Sequence, residues 1–113
     1  MVNDNKKGLE MREYIIACIE GELKGAEIPI KPGEHIIVGR EPRFSNLVFH
    51  DVTISRKHCI IELDKMGEYY ITDYSECGVM TGDGKKLEKV IRTNCPKGTV
   101  LQIGKAGTKI VLR

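Results

Sequence analysis

At 113 residues, 41% of them hydrophobic and 30% charged, the chain is long enough for one hydrophobic core and too short for two ordinary ones. A formal charge of +2 excludes a polybasic nucleic-acid binder held by many phosphate contacts, so any anion recognition has to be local. Aromatic residues make up only 5% and Trp is absent, which requires a mainly aliphatic core.

Residues 1–11 carry no hydrophobic periodicity and read as a flexible N-terminal segment, leaving 12–113 as the folded domain. The β-branched run around Ile15, Ile16 and Ile19 predicts a strand within residues 12–20, closed by Gly21. Ala26, Ile28 and Ile30 recur at period two and predict a second strand, which Pro29 confines to a sheet edge. Turn chemistry at residues 31–34 leads into a third strand over 35–38 that ends at Gly39 and Arg40, and a short fourth strand covers 47–49.

Over residues 57–63, Cys59, Ile61 and Leu63 alternate with His58, Ile60 and Glu62, and a turn at 64–67 joins this strand to another over 68–74. Residues 75–84 read as loop and short-strand material, and 87–91 as a further short strand. The last two strands, 99–103 and 108–112, flank a turn containing Gly104 and Gly107. Short strands with turn signals at roughly 8–12-residue spacing, and no helical stretch, predict an all-β antiparallel sandwich of about eleven strands.

No apolar run reaches the roughly 20 residues needed to cross a bilayer, and the N-terminus has no signal-peptide core. A soluble cytoplasmic protein without a membrane partner is expected. The cysteines at 18, 59, 77 and 95 form no C-x-x-C pair and read as free thiols, Cys18 and Cys59 within apolar strands. Together with the three histidines they lack zinc-site spacing, so neither a metal nor a cofactor is expected.

The chemistry concentrates in residues 39–58, which hold two loops at strand ends with the short strand between them. Arg40 offers a guanidinium fork suited to bidentate contact with phosphate oxygens, Ser55 a short hydroxyl donor, and Arg56 a second positive charge. A phosphorylated side chain carries about −1.5 to −2 charge and three acceptor oxygens, and a few such donors suffice to hold it. Gly39 lets the backbone bend into its loop. Lys57 reads as solvated. His58 follows Ser55 by three residues, yet the chain has no nucleophile elbow or paired carboxylates, which argues against an enzyme.

Gly39-Arg40, Ser55-Arg-Lys-His58 and Asp73-Tyr-Ser-Glu-Cys-Gly78, at this spacing, resemble the forkhead-associated (FHA) domain over about residues 12–112. The resemblance implies an eleven-stranded β-sandwich that binds phosphothreonine peptides through loops at one end and has no catalytic activity. It implies phosphate contacts for Arg40, Ser55 and Arg56, and a structural role for His58, its ring bonded to backbone between the binding loops. Arg43 and Asn46 fall where the family reads peptide side chains. Cys77 and Gly78 fall where it usually has Asn-Gly, the Asn bonding the peptide main chain.

Cys is a poor substitute for that amide, so the resemblance implies an intact phosphate clamp beside a weakened clamp on the peptide backbone. The expected partner is a phosphothreonine-containing protein, a substrate of a serine/threonine kinase, bound by a signalling adaptor. The alternative is a degenerate, phosphate-independent scaffold or dimerisation module. Lys85, Lys86, Lys89, Arg92 and Lys97 suggest nucleic acid only weakly, because Asp83 and Glu88 interrupt them and no aromatic platform accompanies them, so no nucleic-acid partner is expected.

Overall fold

The computed structural model describes residues 13–113 as ten short strands without a helix. The flexible segment expected over residues 1–11 lies outside the described residues. One sheet has the order β2-β1-β10-β9-β7, built from β1 (Ile15–Glu20), β2 (Glu27–Pro29), β7 (Val79–Thr81), β9 (Val100–Ile103) and β10 (Thr108–Leu112). The other has the order β4-β3-β5-β6-β8, built from β3 (His35–Gly39), β4 (Leu47–Val48), β5 (Cys59–Leu63), β6 (Tyr69–Asp73) and β8 (Thr93–Cys95).

The period-two pattern explains the packing. Cys59, Ile61 and Leu63 of β5 are buried against Leu101, Ile103, Ile110 and Leu112 of the facing sheet, while Ile60 and Glu62 point outward. Phe49 and Ile54, from the segment joining β4 to β5, are fully buried beneath the loops and anchor them to this aliphatic core. His58, in register with the outward residues, is nevertheless fully buried.

Three details depart from the expectation. Ten strands form in place of about eleven, because residues 87–91 contribute only one isolated bridge, Asp73 to Lys89. Val90 there has φ of 65° and is exposed with Ile91, which a regular strand does not allow. The unexpected strand is β8, which pairs Thr93, Asn94 and Cys95 with Ile71, Tyr70 and Tyr69. The sandwich is antiparallel except for β3 and β4, whose two paired positions, Val38 with Leu47 and Gly39 with Val48, run parallel.

Gly39 closes β3, Cys59 opens β5 and Asp73 closes β6, so the segments after β3, before β5 and after β6 gather at one pole. At the opposite pole Ile15 and Arg113 exchange backbone hydrogen bonds at 3.2 and 2.8 Å.

Candidate functional site

The site begins with the absence of a side chain. A Cβ on Gly39 falls 2.5 Å from Ser45 Oγ and 2.8 Å from the Arg56 carbonyl carbon, so only glycine lets the segment after β3 touch the segment before β5. Two backbone bonds and one side-chain bond seal that contact: Arg40 N–H donates to the Ser55 carbonyl at 3.0 Å, Glu41 N–H to the Arg56 carbonyl at 3.2 Å, and the Ser45 hydroxyl to the same Arg56 oxygen at 3.0 Å.

These contacts frame a cleft of about 480 Å³ lined by Arg40, Ser55, Arg56 and Lys57, with Tyr74, Glu76 and Cys77 on its far wall. Arg40 is half-buried, and its Nε donates to the Ile54 carbonyl at 3.0 Å. That single tether aims the guanidinium. Its two terminal nitrogens have no partner among the described residues. Ser55 Oγ accepts from the Glu76 N–H at 3.1 Å, which leaves its own hydroxyl hydrogen available. Lys57 Nζ sits 4.7 Å from the Tyr74 ring centroid, a cation–π contact that holds a third positive charge on the rim.

The far wall is fixed from below. Asp73 Oδ1 accepts from Ser75 N–H and Ser75 Oγ, and Ser75 Oγ accepts from Gly78 N–H at 2.7 Å, so three residues are wound around one buried carboxylate oxygen. Lys89 Nζ donates to the carbonyls of Ser75 and Glu76. His58 joins the walls: Ser55 N–H donates to its Nδ1 at 3.0 Å while its Nε2 pairs with the Gly78 carbonyl at 2.8 Å. That pairing requires the neutral tautomer with the proton on Nε2. Burial, above all, depresses the pKa of His58 and keeps the ring in this state.

Comparison with known proteins bears on this geometry. The sequence profile of the FHA domain matches residues 36–104, more than half of the chain. The chain belongs to the FHA domain family. An FHA domain-containing protein of Arabidopsis thaliana is 29% identical over 89 residues, covering 79% of this chain. This chain spans only 23% of that relative's length. The FHA domain of the CT664 protein from Chlamydia trachomatis superposes with a TM-score of 0.80 at 26% identity, over 89% of this chain and 96% of that one. The N-terminal FHA domain of S. cerevisiae Rad53p, solved with a phosphothreonine peptide, gives a TM-score of 0.74 at 18% identity, over 89% and 92% of the two chains. At that identity the likeness concerns the fold.

Of the residues singled out in the sequence, the FHA domain brings Arg40, Ser55, Arg56 and Cys77 to one cleft, with Gly39 and His58 holding it together. The others sit elsewhere. Arg43, 82% exposed in its side chain, donates to Glu41 Oε1 at 2.9 Å and lies over Phe44. Asn46 is used structurally, its Oδ1 accepting from Ile37 N–H at 2.9 Å while its own N–H donates to the Ile37 carbonyl. Both main-chain groups of Gly78 are engaged, by Ser75 and by His58.

Lys57 is exposed, in line with a solvated side chain, and in addition lies over the Tyr74 ring on the rim of the cleft. Lys89, grouped in the sequence with a surface run of cations, is the buttress of the Ser75–Glu76 backbone. No local pattern marks either role, because both depend on partners 13 to 17 positions away. A roomier hollow of about 670 Å³ lies between the edge strands β7 and β8, on the flank of the sandwich and away from the Arg40 cleft.

Proposed function

We propose that this FHA domain is a non-catalytic adaptor that binds phosphothreonine-containing segments of partner proteins, with the phosphate held by Arg40, Ser55 and Arg56. One observation carries the reading: a guanidinium tethered by Nε alone, a hydroxyl with its hydrogen free and a second guanidinium line a single cleft whose walls are locked by Gly39 and His58. Such an arrangement donates several charge-assisted hydrogen bonds to one dianion with little reorganisation. The phosphothreonine peptide bound by the Rad53p domain supports the same reading through the shared fold.

Residues 12–113 form the binding unit, acting in the cytoplasm on substrates of serine/threonine kinases. Cys77 faces the cleft where the family usually places an amide, so the peptide main chain is held less firmly than the phosphate. The test is titration of labelled protein with a phosphothreonine peptide, its phosphoserine analogue and the unphosphorylated form. Saturable shifts of the Arg40 and Ser55 amides with the phosphothreonine peptide, lost in Arg40→Ala, are expected. The absence of any phosphate-dependent shift at millimolar peptide overturns the reading.

A further inference from the structure

Residues 85–91 run as a strap from the edge of β7 to the end of β6. Thr81 N–H donates to the Lys85 carbonyl at 2.8 Å and Leu87 N–H to the Val79 carbonyl at 3.0 Å, and further on Val90 N–H donates to the Asp73 carbonyl at 2.8 Å. The strap thus lands where β6 gives way to the far wall of the Arg40 cleft. Its landing is strained. Val90 has φ of 65°, the one positive φ on a non-glycine among the described residues, and its side chain, 63% exposed, gains little packing in return. A β-branched residue in the left-handed region costs free energy that surrounding contacts must offset.

What the turn delivers is Lys89. We propose that Lys89 is a positioning residue of the phosphate site: without touching the ligand, it clamps the Ser75–Glu76 main chain and so sets how tightly the cleft holds a phosphothreonine segment. This rests on the phosphopeptide reading above.

The route is short. Lys89 Nζ donates to the Ser75 carbonyl and, at 2.9 Å, to the Glu76 carbonyl, and it is the only donor to either among the described residues. Ser75 is buried, so without Lys89 its carbonyl is left unpaired unless the loop shifts to reach water. Glu76 in turn gives its N–H to Ser55 Oγ at 3.1 Å, the bond that leaves the Ser55 hydroxyl hydrogen for the phosphate. Asp73 and Gly78 hold the two ends of this loop through Ser75, and Lys89 holds its middle. Its ammonium has no carboxylate partner among the described residues, so both bonds draw on an uncompensated charge.

The experiment measures Kd by calorimetry for one phosphothreonine peptide on the wild type, Lys89→Met, Lys89→Arg and Lys85→Met, and repeats Lys89→Met in a Ser55→Ala background. Lys89 is exposed, so Lys89→Met opens no core cavity, and circular dichroism checks that it folds. Should it not fold, Lys89→Gln, which keeps two N–H donors without the charge, takes its place. Lys89→Met is expected to weaken binding about five- to twentyfold. Lys89→Arg, which keeps charge and donors, should stay within about threefold, and Lys85→Met, which removes an equal charge from the same strap, within about twofold. In the Ser55→Ala background the loss from Lys89→Met should shrink to about twofold, because the two residues act along one path. Amide spectra of free Lys89→Met should change most at Ser55, Glu76 and Cys77.

Wild-type affinity in Lys89→Met, an equal loss in Lys85→Met, or a loss undiminished in the Ser55→Ala background overturns the positioning role alone. Failure of the wild type to bind any phosphothreonine peptide overturns the underlying reading and the positioning role with it.

Discussion

Replacing Gly39 with Ala is the most direct way to ask whether loop contact makes the site. The new methyl meets Ser45 Oγ at 2.5 Å and the Arg56 carbonyl carbon at 2.8 Å, and two of its obstacles are backbone atoms that cannot rotate aside. Relief requires parting the two segments, which breaks the bonds from Arg40 N–H, Glu41 N–H and Ser45 Oγ. At about 0.5–1.5 kcal/mol each, losing the three costs about 1.5–4.5 kcal/mol. A domain of this size has about 5–15 kcal/mol to lose, so the variant stays folded at room temperature. With about 4–8 °C of Tm per kcal/mol, the melting point should fall by at least about 6 °C. Thermal unfolding followed by circular dichroism measures this, and amide spectra should show the largest changes at residues 40–46 and 55–57. A Tm within about 2 °C of wild type, with those amides unmoved, would refute the claim that close backbone approach at Gly39 assembles the cleft.

Arg40→Lys should weaken phosphothreonine peptide binding by at least about tenfold in calorimetry, because an ammonium cannot keep the Ile54 tether and still engage two phosphate oxygens; a Kd within twofold of wild type counts against the bidentate role. Cys77→Asn should tighten the same interaction by about two- to tenfold, the value of one restored hydrogen bond, and an unchanged Kd would mean that the peptide backbone does not pass this wall. Burial places His58 in the fold below its ordinary pKa of 6.5, so the unfolded chain takes up that proton first. This contribution to stability is complete above pH 6.5 and is lost as pH falls from there towards the depressed folded value. Urea midpoints should decline over that window, and an NMR titration showing the His58 ring protonating at or above pH 6.5 would dispose of the argument.

Much of this was legible in the sequence because it rests on residue type. Period-two patterns marked the principal strands, and the chemistry of Arg40 and Ser55 marked the cleft. What escaped depended on long-range placement. β8 holds Thr93, Asn94 and Cys95, only the last of them buried, and owes its strand form to pairing with β6. Residues 87–91 look strand-forming by composition, yet Val90 turns into the left-handed region and frees Lys89 to brace the Ser75–Glu76 carbonyls. Asn46 falls in the loop where the family reads peptide side chains, and the sequence does not show that its amide oxygen also accepts from Ile37 N–H. Glycine itself was visible at positions 39, 78 and 104, but what each one touches was not.

The pairing of Ile15 with Arg113 has a mechanical consequence. β1 and β10 are neighbours and antiparallel, and their outer ends lie side by side at the pole opposite the cleft. A pull applied through residues 15 and 113 loads the strand pair as a zipper, breaking one bond at a time, starting where the two strands meet. The loops around Arg40 lie at the far end of that tear. Tension carried along a polypeptide through this domain thus reaches the recognition surface last, and a bound segment is shielded from it until the β1–β10 seam has opened.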